Sequence, residues 1–171
     1  MTTRFKHCIE EDLQSLRHIS VQTFVDTYAH KNKKGNVLRH INIAFSLDQL
    51  LSELRSPNMH FVFLYEGNNL AGYFKLNSGK AQTEDFGDED IELERIYLLT
   101  PYKGKGYGRL LINKAIKEGK KLKCKRMWLG VWKRNPEAVA FYKKMGFKIF
   151  GQHKFTVGGE EQMDWMMDIH L

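Results

Sequence analysis

A glycine-rich segment between a predicted strand and a predicted helix constrains this chain more than any other feature. The segment consists of Lys103, Gly104, Lys105, Gly106, Tyr107, Gly108 and Arg109. The apolar run 91–99 before it is typical of a strand, and the run 110–119 after it has helical periodicity. Glycine lets the backbone approach a ligand closely, and a helix start presents unpaired N–H groups. The segment therefore predicts an anion site, most often for phosphate, on a strand-to-helix turn.

The order of the other elements predicts the fold class. Helices are expected over 9–29, over 47–54 and from 136 to a stop at 146, and strands over 60–65, 70–76, 127–131, 147–155 and 161–170. Ser46 and Gln49 should form a capping box, and Asn135 should cap the helix that starts at Pro136. Residues 31–36 are expected to be a polar loop. This order predicts one mixed α/β domain over 1–171, with helices packed on a central sheet.

Length and composition exclude several classes of protein. A chain of 171 residues is long enough to bury a core, and it contains no apolar run near the roughly 18 residues of a membrane span. Its first residues are too polar for a signal peptide, and Cys8 and Cys124 lie too far apart for a metal-type pair. We therefore expect a cytoplasmic protein without a disulfide framework and without a membrane partner.

Charge is distributed unevenly along the chain, whose net charge is +7. Residues 84–94 include seven acids, and the 103–126 segment carries ten Lys or Arg and a single acid, Glu118. Both runs are compatible with ordinary solvated surface. Alternatively, the first attracts cations and the second attracts anions. A nucleic-acid partner is not expected, because a uniformly basic binder would not carry the acidic run.

The glycine segment fits neither of two familiar phosphate loops. The Walker pattern requires Ser or Thr after Gly-Lys, but Gly106 follows Lys105. The dinucleotide pattern requires an acid at the end of the next strand, and 127–131 has none. By itself the segment is also compatible with a tight structural turn that binds nothing.

A second motif lies a strand and a loop further on and reads NPEAVAFYKKMGF from Asn135 to Phe147. Together the two motifs resemble the GCN5-related N-acetyltransferase (GNAT) superfamily, whose acetyl-CoA loop reads Gln/Arg-x-x-Gly-x-Gly/Ala. Lys103 departs from that loop, since lysine keeps the charge but not the forked geometry of arginine. Nearly the whole chain is similar to the PaiA-type bacterial spermidine/spermine N-acetyltransferases. Further matches are TF-D-T from Thr23, AGY from Ala71, ERIY from Glu94, WLGVW from Trp128 and EEQ from Glu160.

The resemblance implies a fold, a co-substrate and a set of site residues. The implied fold is the acyl-CoA N-acyltransferase fold, with a mixed, mostly antiparallel sheet flanked by helices. The implied co-substrate is acetyl-CoA. Its coenzyme A part would be bound by the glycine segment, by the backbone of Ile96, Tyr97 and Leu98, and by Asn135, Tyr142 and Lys144. A backbone amide near Tyr97 or Leu98 would polarise the thioester carbonyl.

The implied chemistry is direct transfer of acetyl to a primary amine of a polyamine in a ternary complex. Tyr142 is the candidate general acid toward the leaving thiolate, and Glu92 and Glu94 are candidates for removing the ammonium proton. The acidic run, Asp88, Glu89 and Asp90 above all, would steer and hold the polyamine.

Several alternatives stay open at this stage. Tyr142 is equally a core aromatic by spacing alone, and the two glutamates are equally solvent-facing acids. The acceptor is alternatively a protein N-terminus, an aminoglycoside or an amino acid. A non-enzymatic acyl-CoA sensor or a nucleic-acid-binding regulator is the rival of another class. No metal is expected, because the seven histidines lack ligand spacing, and a homodimer would be in keeping with the superfamily.

Overall fold

Seven strands form one sheet in the computed structural model, which describes residues 2–171. The strands are β1 (Thr3–His7), β2 (Met59–Glu66), β3 (Asn69–Ser78), β4 (Asp90–Leu98), β5 (Arg126–Trp132), β6 (Lys148–Val157) and β7 (Glu160–His170). The helices are α1 (Leu13–Tyr28), α2 (Lys34–Ala44), α3 (Leu47–Arg55), α4 (Tyr107–Lys121) and α5 (Pro136–Lys144). The strand order is β1-β2-β3-β4-β5-β7-β6. Only the β4–β5 pair is parallel, which confirms the mostly antiparallel sheet flanked by helices.

The parallel pair at the centre of the sheet is short. β4 and β5 pair only where Asp90, Ile91 and Glu92 lie opposite Arg126, Met127 and Trp128. Beyond that point β4 continues beside β3 alone, and β5 continues beside β7 alone. The two strands therefore part, and the second half of β4 presents backbone groups on one side without a neighbouring strand.

A β-bulge in β4 lies where the two strands part. Lys75 of β3 pairs with Arg95, but the next residue, Leu76, pairs with Leu93, so Glu94 is the extra residue. The bulge shifts the inside–outside alternation of the strand. As a result Leu93 and Ile96 both pack with the hydrophobic cluster on the α4 and α5 side.

Two hydrophobic clusters cover the two faces of the sheet. One joins α4 and α5 to the sheet through Leu111, Ile112 and Tyr142, and the other joins α1, α2 and α3 to it through residues such as Leu16 and Leu50. Helices on both faces leave the gap between β4 and β5 as an opening through the middle of the sheet. That opening is where a ligand can reach backbone groups.

The predicted caps are largely confirmed. Ser46 Oγ accepts a hydrogen bond from the Gln49 amide at 3.2 Å, although the Gln49 side chain donates to Glu53 instead of completing the box. Asn135 Oδ1 accepts from the Ala138 amide at 3.3 Å, and Gly146 ends the last helix with φ +95°.

Two elements differ from the expectation. The polar loop over 31–36 is wrong beyond Lys33, because α2 begins at Lys34. Its sequence buries only Val37 and Ile41, and contacts to the β6–β7 turn hold it, such as the hydrogen bond from Arg39 to the Gly158 carbonyl. The edge strand β1 was not predicted either, and the helix expected over 9–29 starts as a 3₁₀ turn over Glu10–Asp12.

Candidate active site

A cleft of about 500 Å³ occupies the opening between β4 and β5. It brings together most of the residues predicted for the site: Glu94, Ile96, Tyr97, Leu98, Lys103, Gly104, Gly106, Gly108, Arg109, Asn135 and Tyr142. It is also lined by residues that the sequence did not indicate: Thr27, Tyr28, Leu93, Leu111, Gly130, Val131, Trp132, Glu137, Ala138 and Phe141. Four predicted residues do not line it, namely Glu92, Lys105, Tyr107 and Lys144.

The glycine segment forms one end of the cleft. Gly104 and Gly106 have φ values of +74° and +87°, a left-handed backbone that other residues rarely adopt. Apart from their neighbours in the chain, no atom of residues 2–171 lies within 4 Å of the place where a Cβ would stand at either glycine. α4 begins directly after Gly106, and no side chain caps its first turn. Free amides, the helix dipole and the cations Lys103 and Arg109 therefore meet at one point, which suits a diphosphate.

Two of the residues outside the cleft have other partners or surroundings. The Tyr107 hydroxyl donates a hydrogen bond to Glu66, and its ring packs against Tyr102 with centroids 5.8 Å apart. The hydrogen bond to Glu66 raises the pKa of Tyr107. Lys144 is an exposed residue in the last turn of α5. Any part that these side chains play in cofactor binding stays a prediction.

The unpaired half of β4 forms the floor of the cleft. Ile96, Tyr97 and Leu98 all line the opening, and no strand pairs with them on the β5 side. On the other side Gly72 of β3 packs closely beneath them, since a Cβ at this glycine would lie 2.6 Å from the Tyr97 carbonyl oxygen. The strand is therefore held tightly from one side and offers its other edge to a ligand with hydrogen-bonding groups.

Tyr142 combines a core position with access to the cleft. Its ring packs against Phe141 and Phe147, with centroids 5.4 Å and 5.9 Å away, and only 9% of the residue is exposed. Burial raises the pKa of its phenol, so the hydroxyl keeps its proton at neutral pH. A phenol held in this way can donate a proton to a base that forms beside it.

Glu94 lies in the cleft and is held by two cations. Its carboxylate is 2.6 Å from Lys75 Nζ and 3.3 Å from the Arg95 guanidinium, and Glu53 of α3 contacts both of these cations. Burial raises the pKa of Glu94, but Arg95 and Lys75 outweigh that effect and lower it to about 2. Glu94 is therefore an anion throughout the physiological range. A carboxylate with this pKa is a weak proton acceptor and is better suited to holding a cation or a water.

Glu92 lies behind the cleft and is only 3% exposed. Its carboxylate accepts hydrogen bonds from the backbone and hydroxyl of Thr83, at 2.8 Å and 2.7 Å. Asn77 Nδ2 joins it to Glu94, at 3.1 Å and 2.6 Å. Burial raises the pKa of Glu92 more than the bonds from Thr83 lower it. Neither glutamate is the solvent-facing acid of the alternative interpretation, and Glu92 would have to act through other groups to reach a substrate.

Aromatic rings from α1 and β5 line the cleft on the α1 side. Tyr28 packs against Trp132 with centroids 5.7 Å apart, and its hydroxyl lies 3.4 Å from that of Tyr97. Burial raises the pKa of Tyr28 to about 12. Tyr28 lies in the helix predicted over 9–29. The sequence did not indicate that this helix reaches the cleft, because only the tertiary fold brings α1 to β5.

Much of the acidic run has a partner within the protein. Asp90 accepts a hydrogen bond from Arg126 Nε at 3.0 Å, Glu89 is paired with Lys125, and Glu84 with His153. These three carboxylates are therefore paired within the protein, and any part that Asp88, Glu89 and Asp90 play in steering a polyamine stays a prediction. Within residues 2–171 no three His, Cys, Asp or Glu side chains form a group that could hold a metal ion. None of the helices in the same range is long and apolar enough to cross a membrane.

Comparisons with known proteins agree with the geometry of the cleft. The acetyltransferase (GNAT) family model matches residues 13–147. An uncharacterised N-acetyltransferase of Lactobacillus delbrueckii subsp. lactis is 33% identical over 158 residues, covering 92% of this chain and 91% of the relative. Spermidine N(1)-acetyltransferase of Thermoplasma acidophilum is 29% identical over 145 residues, covering 81% and 84%. The crystal structure of PaiA N-acetyltransferase from T. acidophilum, in complex with coenzyme A, superposes with a TM-score of 0.81 at 26% identity, covering 100% of both chains.

Proposed function

Because the chain belongs to the GNAT family of acetyltransferases, we propose that it transfers the acetyl group of acetyl-CoA to a primary amine of a polyamine such as spermidine or spermine. The family supplies the reaction, an acetyl-CoA-dependent N-acetylation. The choice of a polyamine as the acceptor rests on Glu94 and on the aromatic residues that line the α1 side of the cleft.

The donor would lie along the unpaired edge of β4. Its diphosphate fits the glycine segment, where the amides at the start of α4 and the charges of Lys103 and Arg109 oppose its negative charge. Its amide-bearing arm fits beside 96–98, as a strand would. A backbone amide at Tyr97 or Leu98 would then polarise the thioester carbonyl, and a donor fixed in advance in this way stabilises the developing oxyanion.

Two proton transfers accompany acetyl transfer. The attacking amine must lose a proton, because an amine with a pKa near 10.4 is almost entirely protonated at neutral pH. Since Glu94 is a weak base, we assign it to holding the ammonium or an ordered water, and a water would carry the proton away. The departing thiolate must gain a proton, and Tyr142 is the buried, protonated group in the cleft that suits this role.

The observation that carries the polyamine assignment is the permanent charge of Glu94 in a cleft with aromatic walls. Cations bind favourably over the faces of Tyr and Trp rings. Trp132 already has a cation beside it, since Lys31 Nζ lies 5.7 Å from its ring centroid. An acceptor with several ammonium groups would therefore find both a carboxylate and π faces. The similarity to the T. acidophilum spermidine acetyltransferase supports the same acceptor class.

The test is a CoA-release assay on a panel of amines. The panel contains spermidine, spermine, putrescine, n-butylamine, an aminoglycoside and a peptide with a free amino terminus. We expect kcat/KM for spermidine or spermine to exceed that for n-butylamine by about tenfold or more, since a charge-assisted contact contributes about 1.5–3 kcal/mol. A higher kcat/KM for the peptide or the aminoglycoside would replace the polyamine with that acceptor.

A matched pair of variants tests the role of Glu94. Glu94→Gln should lower kcat/KM for spermidine by about tenfold or more, because the amide cannot hold a cation as the carboxylate does. Glu10→Gln removes a carboxylate that is also paired with an arginine, Arg55, but this pair is exposed and lies outside the cleft, so this variant should match the wild type. The thermal shift on adding coenzyme A reports whether each variant keeps its donor site. Equal activities of the two variants would contradict the assignment of Glu94.

A further inference from the structure

The aromatic wall of the cleft, which Tyr28 of α1 and Trp132 of β5 form, includes a phenol hydroxyl beside the floor strand β4. Tyr28 is partly exposed and lines the cleft, and its hydroxyl oxygen lies 3.4 Å from that of Tyr97 on β4. Thr27 lines the same wall but donates its hydroxyl to the Thr23 carbonyl, 2.8 Å away. The Trp132 indole can only donate a hydrogen bond. The Tyr28 oxygen is therefore the group on this wall that is best placed to accept a hydrogen bond from a ligand in the cleft.

Packing fixes the direction of this hydroxyl. The ring of Tyr28 contacts both Phe24, with centroids 4.6 Å apart, and Trp132, with centroids 5.7 Å apart. Asn32 Nδ2 donates a hydrogen bond to the Tyr28 carbonyl at 2.9 Å and so holds the last residue of α1. Tyr97 can accept the proton of the Tyr28 hydroxyl, which leaves the lone pairs of Tyr28 to the cleft. A hydroxyl held in this way loses little freedom when a substrate binds.

The hydroxyl lies near the two groups that we assign to the chemistry. Tyr97 belongs to the unpaired edge of β4, where a backbone amide would polarise the thioester carbonyl. Tyr142 packs in the cluster on the α5 side of the sheet and Tyr28 in the cluster on the α1 side, and both line the cleft. The two phenols are close enough for Tyr28 to contribute to the raised pKa of Tyr142. A nucleophile that reaches the thioester from the α1 side would therefore pass beside the Tyr28 hydroxyl.

We propose that the Tyr28 hydroxyl accepts a hydrogen bond from the reacting nitrogen of the acceptor and so directs the nitrogen lone pair at the thioester carbon. The proposal rests on the acetyl transfer proposed above, but it holds for any primary amine, because it concerns the nitrogen that reacts. As that nitrogen forms its bond to the acetyl carbon it becomes positively charged, and its hydrogen bond to Tyr28 strengthens. An interaction that strengthens in the transition state raises the rate. Glu94 would hold the ammonium as it arrives, and Tyr28 would hold the nitrogen as it reacts.

Tyr28→Phe tests the proposal, because it removes the hydroxyl and keeps the ring that packs against Phe24 and Trp132. We expect kcat/KM for spermidine and for n-butylamine to fall by the same factor, about tenfold or more, since a hydrogen bond to a charged group is lost. KM for acetyl-CoA should stay within about twofold of the wild type, and the thermal shift with coenzyme A should be retained. Tyr65→Phe is the matched control: Tyr65 packs in the same hydrophobic cluster but outside the cleft, so this variant should match the wild type.

A double-mutant cycle with Tyr97 separates contact with the substrate from a structural pair of tyrosines. Tyr97 is a positioning residue under the proposal, because its hydroxyl orients that of Tyr28. Tyr97→Phe should therefore lower kcat/KM by less than Tyr28→Phe, and the double variant should be no worse than Tyr28→Phe alone. If Tyr97→Phe caused the larger loss and Tyr28→Phe added nothing to it, Tyr28 would serve only to hold Tyr97, and the proposal would be overturned.

The remaining outcomes distinguish this proposal from the proposed function. A wild-type enzyme that acetylates n-butylamine as well as spermidine overturns the polyamine assignment, and the loss in Tyr28→Phe is still measured on n-butylamine. A wild-type preference for spermidine together with wild-type activity of Tyr28→Phe overturns only the role of Tyr28. A loss in Tyr28→Phe with spermidine but not with n-butylamine overturns that role as well, because a group that touches the reacting nitrogen acts on both amines.

Discussion

Gly72 offers a sharp test of how tightly the floor of the cleft must be held. Replacing it with alanine would place a Cβ 2.6 Å from the Tyr97 carbonyl oxygen and 2.7 Å from Leu98 Cδ2. Ordinary contacts begin near 3.4 Å, so β4 would have to move by about 0.8 Å at Tyr97 and Leu98, which we propose to face the donor. Overpacking of this kind costs about 1–3 kcal/mol, and the loss of glycine flexibility in the unfolded chain returns part of it.

Two measurements follow from that displacement. For a chain of this length, a net loss of about 1–2 kcal/mol lowers Tm by about 2–8 °C in a thermal melt. Because misplacing a reacting group by about 1 Å can cost about a hundredfold in rate, kcat/KM for acetyl-CoA should fall by about tenfold or more. Gly35→Ala is the control: Gly35 lies in the first turn of α2, has no atom within 4 Å of its Cβ position, and should raise Tm slightly. If Gly72→Ala kept both the wild-type Tm and the wild-type kcat/KM, the inference that β4 is clamped between Gly72 and the donor would be refuted.

Three further predictions address the acid, the ion network and pH. Tyr142→Phe should retain the thermal shift with coenzyme A but lower kcat by about a hundredfold, as loss of a general acid does; an unchanged kcat would remove Tyr142 from the chemistry. Lys75→Met should destabilise the protein by about 3–5 kcal/mol in urea unfolding, because it removes one of the two cations that pair with the buried carboxylates of Glu53 and Glu94 and leaves Arg95 alone between them, whereas Lys154→Met breaks only an exposed pair and should cost less than about 1 kcal/mol. The folded-state pKa of Glu94 is about 2, below its ordinary value of 4.5, so its contribution to stability is present above pH 4.5 and is lost as pH falls toward 2. As the pH falls from 4.5 toward 2, Glu94→Gln should therefore lose less unfolding free energy than the wild type. Equal losses in the two proteins would contradict the ion network.

The sequence was most informative where local chemistry decides the structure. The left-handed glycines at 104 and 106, the Asn135 cap and the stop at Gly146 are local requirements, and all can be recognised from residue type. They fix the strand–turn–helix unit and α5, and these two elements carry the glycine segment at one end of the cleft and Tyr142.

The elements that sequence reasoning missed depend on tertiary contacts. α2 has a polar sequence, and contacts to the distant β6–β7 turn hold it, so its residues alone favoured a loop. The bulge at Glu94 exists only in the pairing of β3 with β4. The ion pairs of the acidic run could not be predicted because its partners, Arg126, Lys125 and His153, lie far along the chain. The aromatic wall of the cleft could not be predicted for the same reason, since Tyr28 and Trp132 come from two separate elements.

Because β4 and β5 part, we expect the free energy of unfolding to depend on whether acetyl-CoA is bound between them. Within residues 2–171 three residue pairs alone join the half-sheet β1–β4 to the half-sheet β5–β7, so this seam is the natural boundary between two cooperative unfolding units. A donor that lies along the seam adds bonds where the polypeptide has none, and it stabilises the folded state by about 2.7 kcal/mol at a concentration one hundred times its Kd. Amide hydrogens at this boundary should therefore exchange slowly while the donor is bound and faster in the interval after each product leaves. Depletion of acetyl-CoA in a cell would then shorten the lifetime of the folded chain as well as stopping its reaction.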